Sequence, residues 1–199
     1  KAGADRVCIN SAAIQNPDFI SRAAEIFGSS TICINIQTLK NNDGNYYCYY
    51  NHGRELTNYK VEDWAQKIEK KGAGEIILSS IDRDGTFNGI DYDLIKKIKK
   101  KIKIPLIVHG GCKSPNDVVG IYNKVKFEGV AISSLFHYHL TKKLKKELIA
   151  DLKKQKNFSE GNIEYLVNNK GVYSYLYPNT YTIKKFKREL MKTKIKVRL

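Results

Sequence analysis

The sequence predicts an α/β fold in which parallel strands are joined by helical crossovers. Two observations predict it. Short β-branched runs alternate with segments of helical period from the N-terminus to Phe136. Most of those runs are continuously apolar, which is how strands of a parallel sheet covered on both faces read.

The elements follow in order. Arg6–Asn10 (RVCIN) is the first strand. In the helix after it, Asn16 is placed to cap, Pro17 takes the first position and Gly28 is the stop. Ser30–Gln37 (STICINIQ) is the second strand. The stretch DGNYYCYYNHG, 43–53, combines an Asp43-Gly44 turn with an aromatic run and reads as a small hairpin on the loop. Val61, Trp64, Ala65 and Ile68 stand at helical spacing in the next helix. EIILSS (Glu75–Ser80) is the third strand, with a lysine-rich helix from Asp91. IPLIVHGG is the fourth; Ser114 caps its helix and Pro115 opens it. GVAISSLF (Gly129–Phe136) is the fifth strand. Beyond it come a basic helix, a stretch with four tyrosines and no clear period, and a final helix (TIKKFKREL); residues 140–180 read as a basic, tyrosine-rich insertion.

A chain of 199 residues with 42% hydrophobic side chains is long enough to bury one sizeable core. No apolar run reaches the roughly 18 residues needed to span a bilayer. The opening KAGADRVCIN has no apolar stretch or cleavage site of a signal peptide. A cytoplasmic protein with no membrane partner is expected. The chain opens on Lys1 and its one methionine is Met191, so we expect the natural start to lie upstream. Cys8, Cys33, Cys48 and Cys112 show no C-x-x-C spacing and read as reduced, mostly buried thiols. His137 and His139 are two apart with no third ligand suggested nearby, so neither a metal site nor a cofactor is expected. The net charge of +15 is uneven, since residues 141–199 hold 16 Lys+Arg against 5 Asp+Glu. Such a tail is a solvated basic surface or a patch for an acidic partner. It carries no nucleic-acid-binding signature, and nucleic acid is not the expected partner.

Ligands of parallel α/β sheets gather at the carboxyl ends of the strands. There the sequence places Asn10 and Ser11 after the first strand, Gln37 after the second, and Ser79, Ser80, Asp82, Asp84 and Gly85 after the third. His109-Gly110-Gly111 follow on the fourth and Ser133-Ser134 on the fifth. Gly110-Gly111 lets backbone approach an anion, and Ser133-Ser134 offers N–H groups and hydroxyls ahead of a helix, so together they suit a phosphate. GADRVCINSAA echoes FEGVAISSLF, which places a second phosphate at Asn10 and Ser11. Asp82 is also placed to pair with Arg83 or a lysine of the sheet.

Five stretches carry a family likeness: GADRVCINSAA, GAGEIILSSIDRDGT, IPLIVHGG, AISSLFHY and the closing IKVRL. On them the chain resembles the cyclase subunit of imidazole glycerol phosphate synthase, of histidine biosynthesis. The resemblance implies the C-terminal five βα units of a (β/α)₈ TIM barrel of the ribulose-phosphate-binding type. Residues 1–139 and 181–199 would supply strands four to eight of the family. It implies a lyase or synthase that takes ammonia from a partner glutaminase, as a heterodimer, and delivers it to a bis-phosphorylated substrate. Two carboxylates do the acid–base work in the family, and one of those positions is Gln37 here. Asp84, Gly85, Gly110, Gly111, Ser133 and Ser134 match one phosphate site, Asn10 and Ser11 half of the other, and Ser79 a substrate-facing hydroxyl. The alternative is a divergent branch in surface-polysaccharide pathways, where the barrel is a non-catalytic ammonia conduit and glutaminase activator for amino- or amidino-sugar synthesis.

Overall fold

The computed structural model describes residues 3–143, 180–193 and 195–198. The predicted insertion therefore lies, apart from its edges, outside the described residues. The chain divides into two compact units, Lys1–Ile132 and Ser133–Leu199.

In the first unit β1 (Val7–Ile9) leads through α1 (Ser11–Gln15) and α2 (Asp18–Phe27) to β2 (Ile32–Lys40). β3 (Tyr46–Tyr50) and β4 (Glu55–Lys60) precede α3 (Val61–Lys70). Then come β5 (Glu75–Ser80), α4 (Tyr92–Lys99), β6 (Leu106–His109), α5 (Pro115–Lys124) and β7 (Gly129–Ala131). β1, β2, β5, β6 and β7 are parallel, and each pairs with the next along the chain. That monotonic order, with helical crossovers, is the order of five successive units of a TIM barrel. β3 and β4 are an antiparallel addition: β1 pairs with the first third of β2, and β3 pairs with its last residues, Gln37–Lys40.

Side chains on strands alternate between faces. One face of the sheet carries Ile34, Ile36, Ile76, Leu78, Leu106 and Val108, all at or below 1% exposure. The helices supply the complementary surface through Ile20 and Ala23 of α2, Trp64, Ala65 and Ile68 of α3, and Leu94, Ile95 and Ile98 of α4. α2 and α3 both touch β2. The opposite face carries Cys33, Asn35 and Gln37, then Glu75, Ile77 and Ser79, then Ile107 and His109, in matching register. Most of it is only part-buried. The strands thus have one apolar face and one polar face, where their sequence reads as apolar throughout.

Four boundaries differ from the sequence reading. The helix expected from Pro17 starts at Asp18, with Pro17 as its N-cap and no side-chain cap from Asn16. A separate short helix, α1, has already used Ser11–Gln15, and the Asn16 amide ends it by donating to the Ala12 carbonyl. β2 does not stop at Gln37, because β3 gives its outer edge a partner up to Lys40. The aromatic run is one strand of the hairpin rather than all of it; the turn at Asn51–Gly53 takes positive φ at Asn51, His52 and Gly53 before β4. The fifth strand ends at Ala131, and Ser134–Phe136 are already helical.

The second unit holds α6 (Ser134–Lys143) and the helix α7 (Ile183–Lys192). Thr182 caps α7 by accepting from the Lys185 amide, and Phe186 and Leu190 are buried. Phe136 meets Phe186 edge-on at 5.6 Å. Among the described residues no helix is long and apolar enough to cross a membrane.

The cap expected at Ser114 is present as a full capping box with Asp117, and Pro115 follows it. Ser114→Ala removes the acceptor of the Asp117 amide and should lower stability by about 1 kcal/mol. Equilibrium denaturation of the full chain checks this, and Ser114→Asp should recover most of the loss.

Candidate functional site

The polar face and the loops at the carboxyl ends of its strands bring most of the sequence-predicted residues together. The Gln37, Ser79 and His109 positions pair in one row across β2, β5 and β6. One step earlier along the strands, Asn35 pairs with Ile77 and Ile77 with Ile107. Hydrogen bonds knit the row to its neighbours. The Asn10 side-chain amide donates to the Asn35 carbonyl at 2.9 Å. Ser11 Oγ donates to Asn10 Oδ1 and accepts from the Asn51 amide, which ties this strand end to the hairpin. Ser79 Oγ donates to Asn35 Oδ1 at 2.9 Å, and His109 Nδ1 lies 3.2 Å from the same hydroxyl. His109 Nε2 faces Asp84 Oδ1 at 3.6 Å. Gln37 Oε1 is buried with no hydrogen-bond partner among the described residues.

The loop after β5 is held by its backbone. The Asp84 amide donates to the Ser80 carbonyl, and Gly85 takes φ 73°. Asp82 accepts from Ser80 Oγ at 2.8 Å. The ion pair considered for Asp82 with Arg83 is not formed; Arg83 Nε turns to Asp91 Oδ2 at 3.5 Å and its Nη1 donates to the Gly89 carbonyl. Asp91 is buried, caps α4 through the Leu94 amide, and accepts from the Tyr46 hydroxyl. Burial, with the Asp91 carboxylate beside it, pushes the Tyr46 phenol above its usual range. The hairpin is thereby bonded to the base of the loop that carries Asp84.

Gly110 and Gly111 pack against this same loop. Both have positive φ, and a Cβ on Gly111 would stand 2.2 Å from the Gly89 carbonyl oxygen. On Gly110 it would stand 2.7 Å from the Ser80 oxygen. The pair therefore lets the loops after β5 and β6 touch, sealed by a 2.8 Å bond from the Gly89 amide to the Gly111 carbonyl. Ser133 and Ser134 belong to the second unit, where the Ser133 carbonyl accepts from the Phe136 and His137 amides at the start of α6.

At the other end of the polar face Arg6 Nη1 reaches both oxygens of Glu75 at 2.9 Å. In the same row as Glu75, Cys8 pairs in register with Cys33. Cys8 is exposed and Cys33 buried. The hydrogen bond with Cys33 pulls the Cys8 thiol down to about 7, against the opposing effect of burial, and pushes that of Cys33 up.

Two residues of this constellation were missed as site residues, His109 and Asn35. The signal for both was the two-residue period: Cys33-Asn35-Gln37 and Ile107-His109 each fall on one face.

The family model described as "Histidine biosynthesis protein" matches residues 1–142. Subunit HisF of imidazole glycerol phosphate synthase from Lactococcus lactis subsp. cremoris (strain MG1363) is 41% identical over 138 residues, 69% of this chain and 53% of that protein. The subunit of the same name from Alkaliphilus metalliredigens (strain QYMF) is 40% identical over 139 residues, 70% and 55% of the two chains. That from Bacillus cereus (strain G9842) is 41% identical over 138 residues, 69% and 55%. The chain spans about half the length of these relatives.

Two outcomes follow. Gly111→Ala forces a Cβ into the Gly89 carbonyl at a positive φ and should cost more than about 1 kcal/mol, read as a lowered denaturation midpoint. Alkylation of Cys8 by iodoacetamide should reach half its limiting rate near pH 7. In Cys33→Ala the midpoint should rise toward the ordinary thiol value of roughly 8.5.

Proposed function

This chain belongs to the histidine biosynthesis protein family, and on that premise we propose that it is the carboxyl-terminal part of a cyclase-type barrel using ammonia on a phosphorylated substrate. The observation that carries the reading is the row Gln37–Ser79–His109, set at the carboxyl end of parallel strands within the matched residues. A partner glutaminase supplies the ammonia; the relatives' names, as subunits of a synthase, support a heterodimer.

In this reading Asp84, Gly85, Gly110 and Gly111 serve one phosphate of the substrate, and Asn10 and Ser11 serve the other. A carboxylate beside a phosphate repels it, so Asp84 orients donors or a ribose hydroxyl, and Asp82 holds the loop through Ser80. Ser79 presents its hydroxyl to the substrate. Fixing both ends of one molecule removes much of the entropy cost of bringing the reacting carbon to the row.

Gln37 occupies a position where the family carries a catalytic carboxylate. An amide does not accept a proton near neutral pH as a carboxylate does. That residue favours a second reading: a non-catalytic conduit that activates its glutaminase, in amino- or amidino-sugar synthesis for surface polysaccharide.

Turnover of the bis-phosphorylated ribulosyl-formimino aminoimidazole ribonucleotide by the full-length protein, with ammonium chloride as nitrogen source, separates the two. For the cyclase reading Gln37→Asp should raise kcat by roughly 10-fold or more, within the range general acid–base groups supply. No detectable product from the wild type or from Gln37→Asp would exclude it. Stimulated glutaminase activity in the same preparations would then support the conduit.

A further inference from the structure

We propose that His109 is the proton-transfer residue of this site, with Ser79 and Asp84 as its positioning residues. The proposal rests on the cyclase reading for its substrate, but the argument comes from the ring's own surroundings.

The tautomer of His109 follows from counting protons. A serine hydroxyl has one proton, and Ser79 gives its proton to Asn35 Oδ1 at 2.9 Å. Its oxygen can then only accept from His109 Nδ1, 3.2 Å away, so Nδ1 carries the ring proton. Asn35 itself sits on β2, two residues before Gln37. The pair Asn35–Ser79 therefore sets the tautomer and leaves Nε2 with a free lone pair in the neutral ring.

That lone pair faces Asp84 Oδ1 across 3.6 Å. The distance is too long for a direct hydrogen bond. Two acceptors facing each other suit a nucleophile rich in N–H groups, and ammonia has three. The ring is 23% exposed and the carboxylate 51%, so both are open to a ligand. Among the described residues Asp84 is the charged group that pairs with the ring; Ser79 from β5 faces its other nitrogen, and the other side chain of its row, Gln37 from β2, is neutral.

The proton balance is closed by the one ring. The ammonia nitrogen gives its lone pair to the electrophilic carbon, and the new C–N bond forms. One N–H proton passes to His109 Nε2, and Asp84 stabilises the imidazolium. When the old C–N bond breaks, its electron pair stays with the departing amine, which takes the proton back from Nε2. Nothing is oxidised or reduced, and the imidazole ends as it began. His109 thus supplies from β6 the acid–base function that Gln37 lacks on β2, in the same row.

Two measurements test this on the full-length protein. ¹⁵N NMR of the histidine rings should report His109 as the Nδ1–H tautomer, shifting toward Nε2–H in Ser79→Ala. An Nε2–H ring in the wild type would overturn the proposal. Ammonium-dependent turnover of His109→Gln should show kcat down by about 100-fold or more, with KM within roughly 2-fold and an unchanged circular dichroism spectrum. Unchanged kcat would overturn the role while leaving the cyclase reading intact. If the wild type itself turns over no substrate, the cyclase reading fails separately. His109 is then judged on its ring: ammonium chloride must perturb the Nε2 signal, and less so in Asp84→Asn. No perturbation overturns it.

Discussion

The register of β2, β5 and β6 is the constraint on which the rest of the molecule depends. It aligns Ile36 with Leu78 and Leu78 with Val108 on the face the helices cover. A slip of one residue would send these side chains to the polar face and turn Asn35, Gln37 and His109 toward the helix-covered face. Burying a Leu or Ile side chain is worth about 1.5–3 kcal/mol, so such a slip is strongly opposed. The same alignment puts the Gln37, Ser79 and His109 positions in one row. The site's geometry is thus a by-product of the core's register.

The loops above that row are braced by a close backbone contact and by one arginine side chain. Gly111 and Gly89 meet backbone to backbone, and Arg83 closes on the Gly89 carbonyl from below the same loop. Asp91 would be costly to bury alone. It is satisfied by Arg83, the Tyr46 hydroxyl and the Leu94 amide together. This anchoring uses up the ionic capacity of Arg83 and Asp91 in structure. Asp84 escapes it, and its carboxylate is left half-exposed beside His109.

The hairpin has a structural role that its position in a loop did not suggest. β3 extends β2 by giving it a partner as far as Lys40, two residues beyond Thr38, where the parallel pairing with β5 ends. Its Tyr46 and Asn51 reach Asp91 and Ser11 respectively. The hairpin therefore touches the foundations of two of the strand ends from which the site is built.

The sequence by itself determined the α/β class, the five parallel strands, the Ser114 cap and the loops where the polar residues collect. These follow from local chemistry: period, cap and turn residues act within a few positions of themselves. Short-range signals were also misread where two elements competed for the same residues, as at Asn16 and Pro17. What only the tertiary structure decided was partnership. Arg83 chose Asp91 over Asp82 because a buried carboxylate gains more from a cation than an exposed one does. The two faces of the sheet became unequal because helices pack on one of them. His109, a single letter before two glycines, acquired its partners because Asn35 and Ser79 come from two other strands of the sheet. No pattern within one strand could have held that information, since it is written in the register between them.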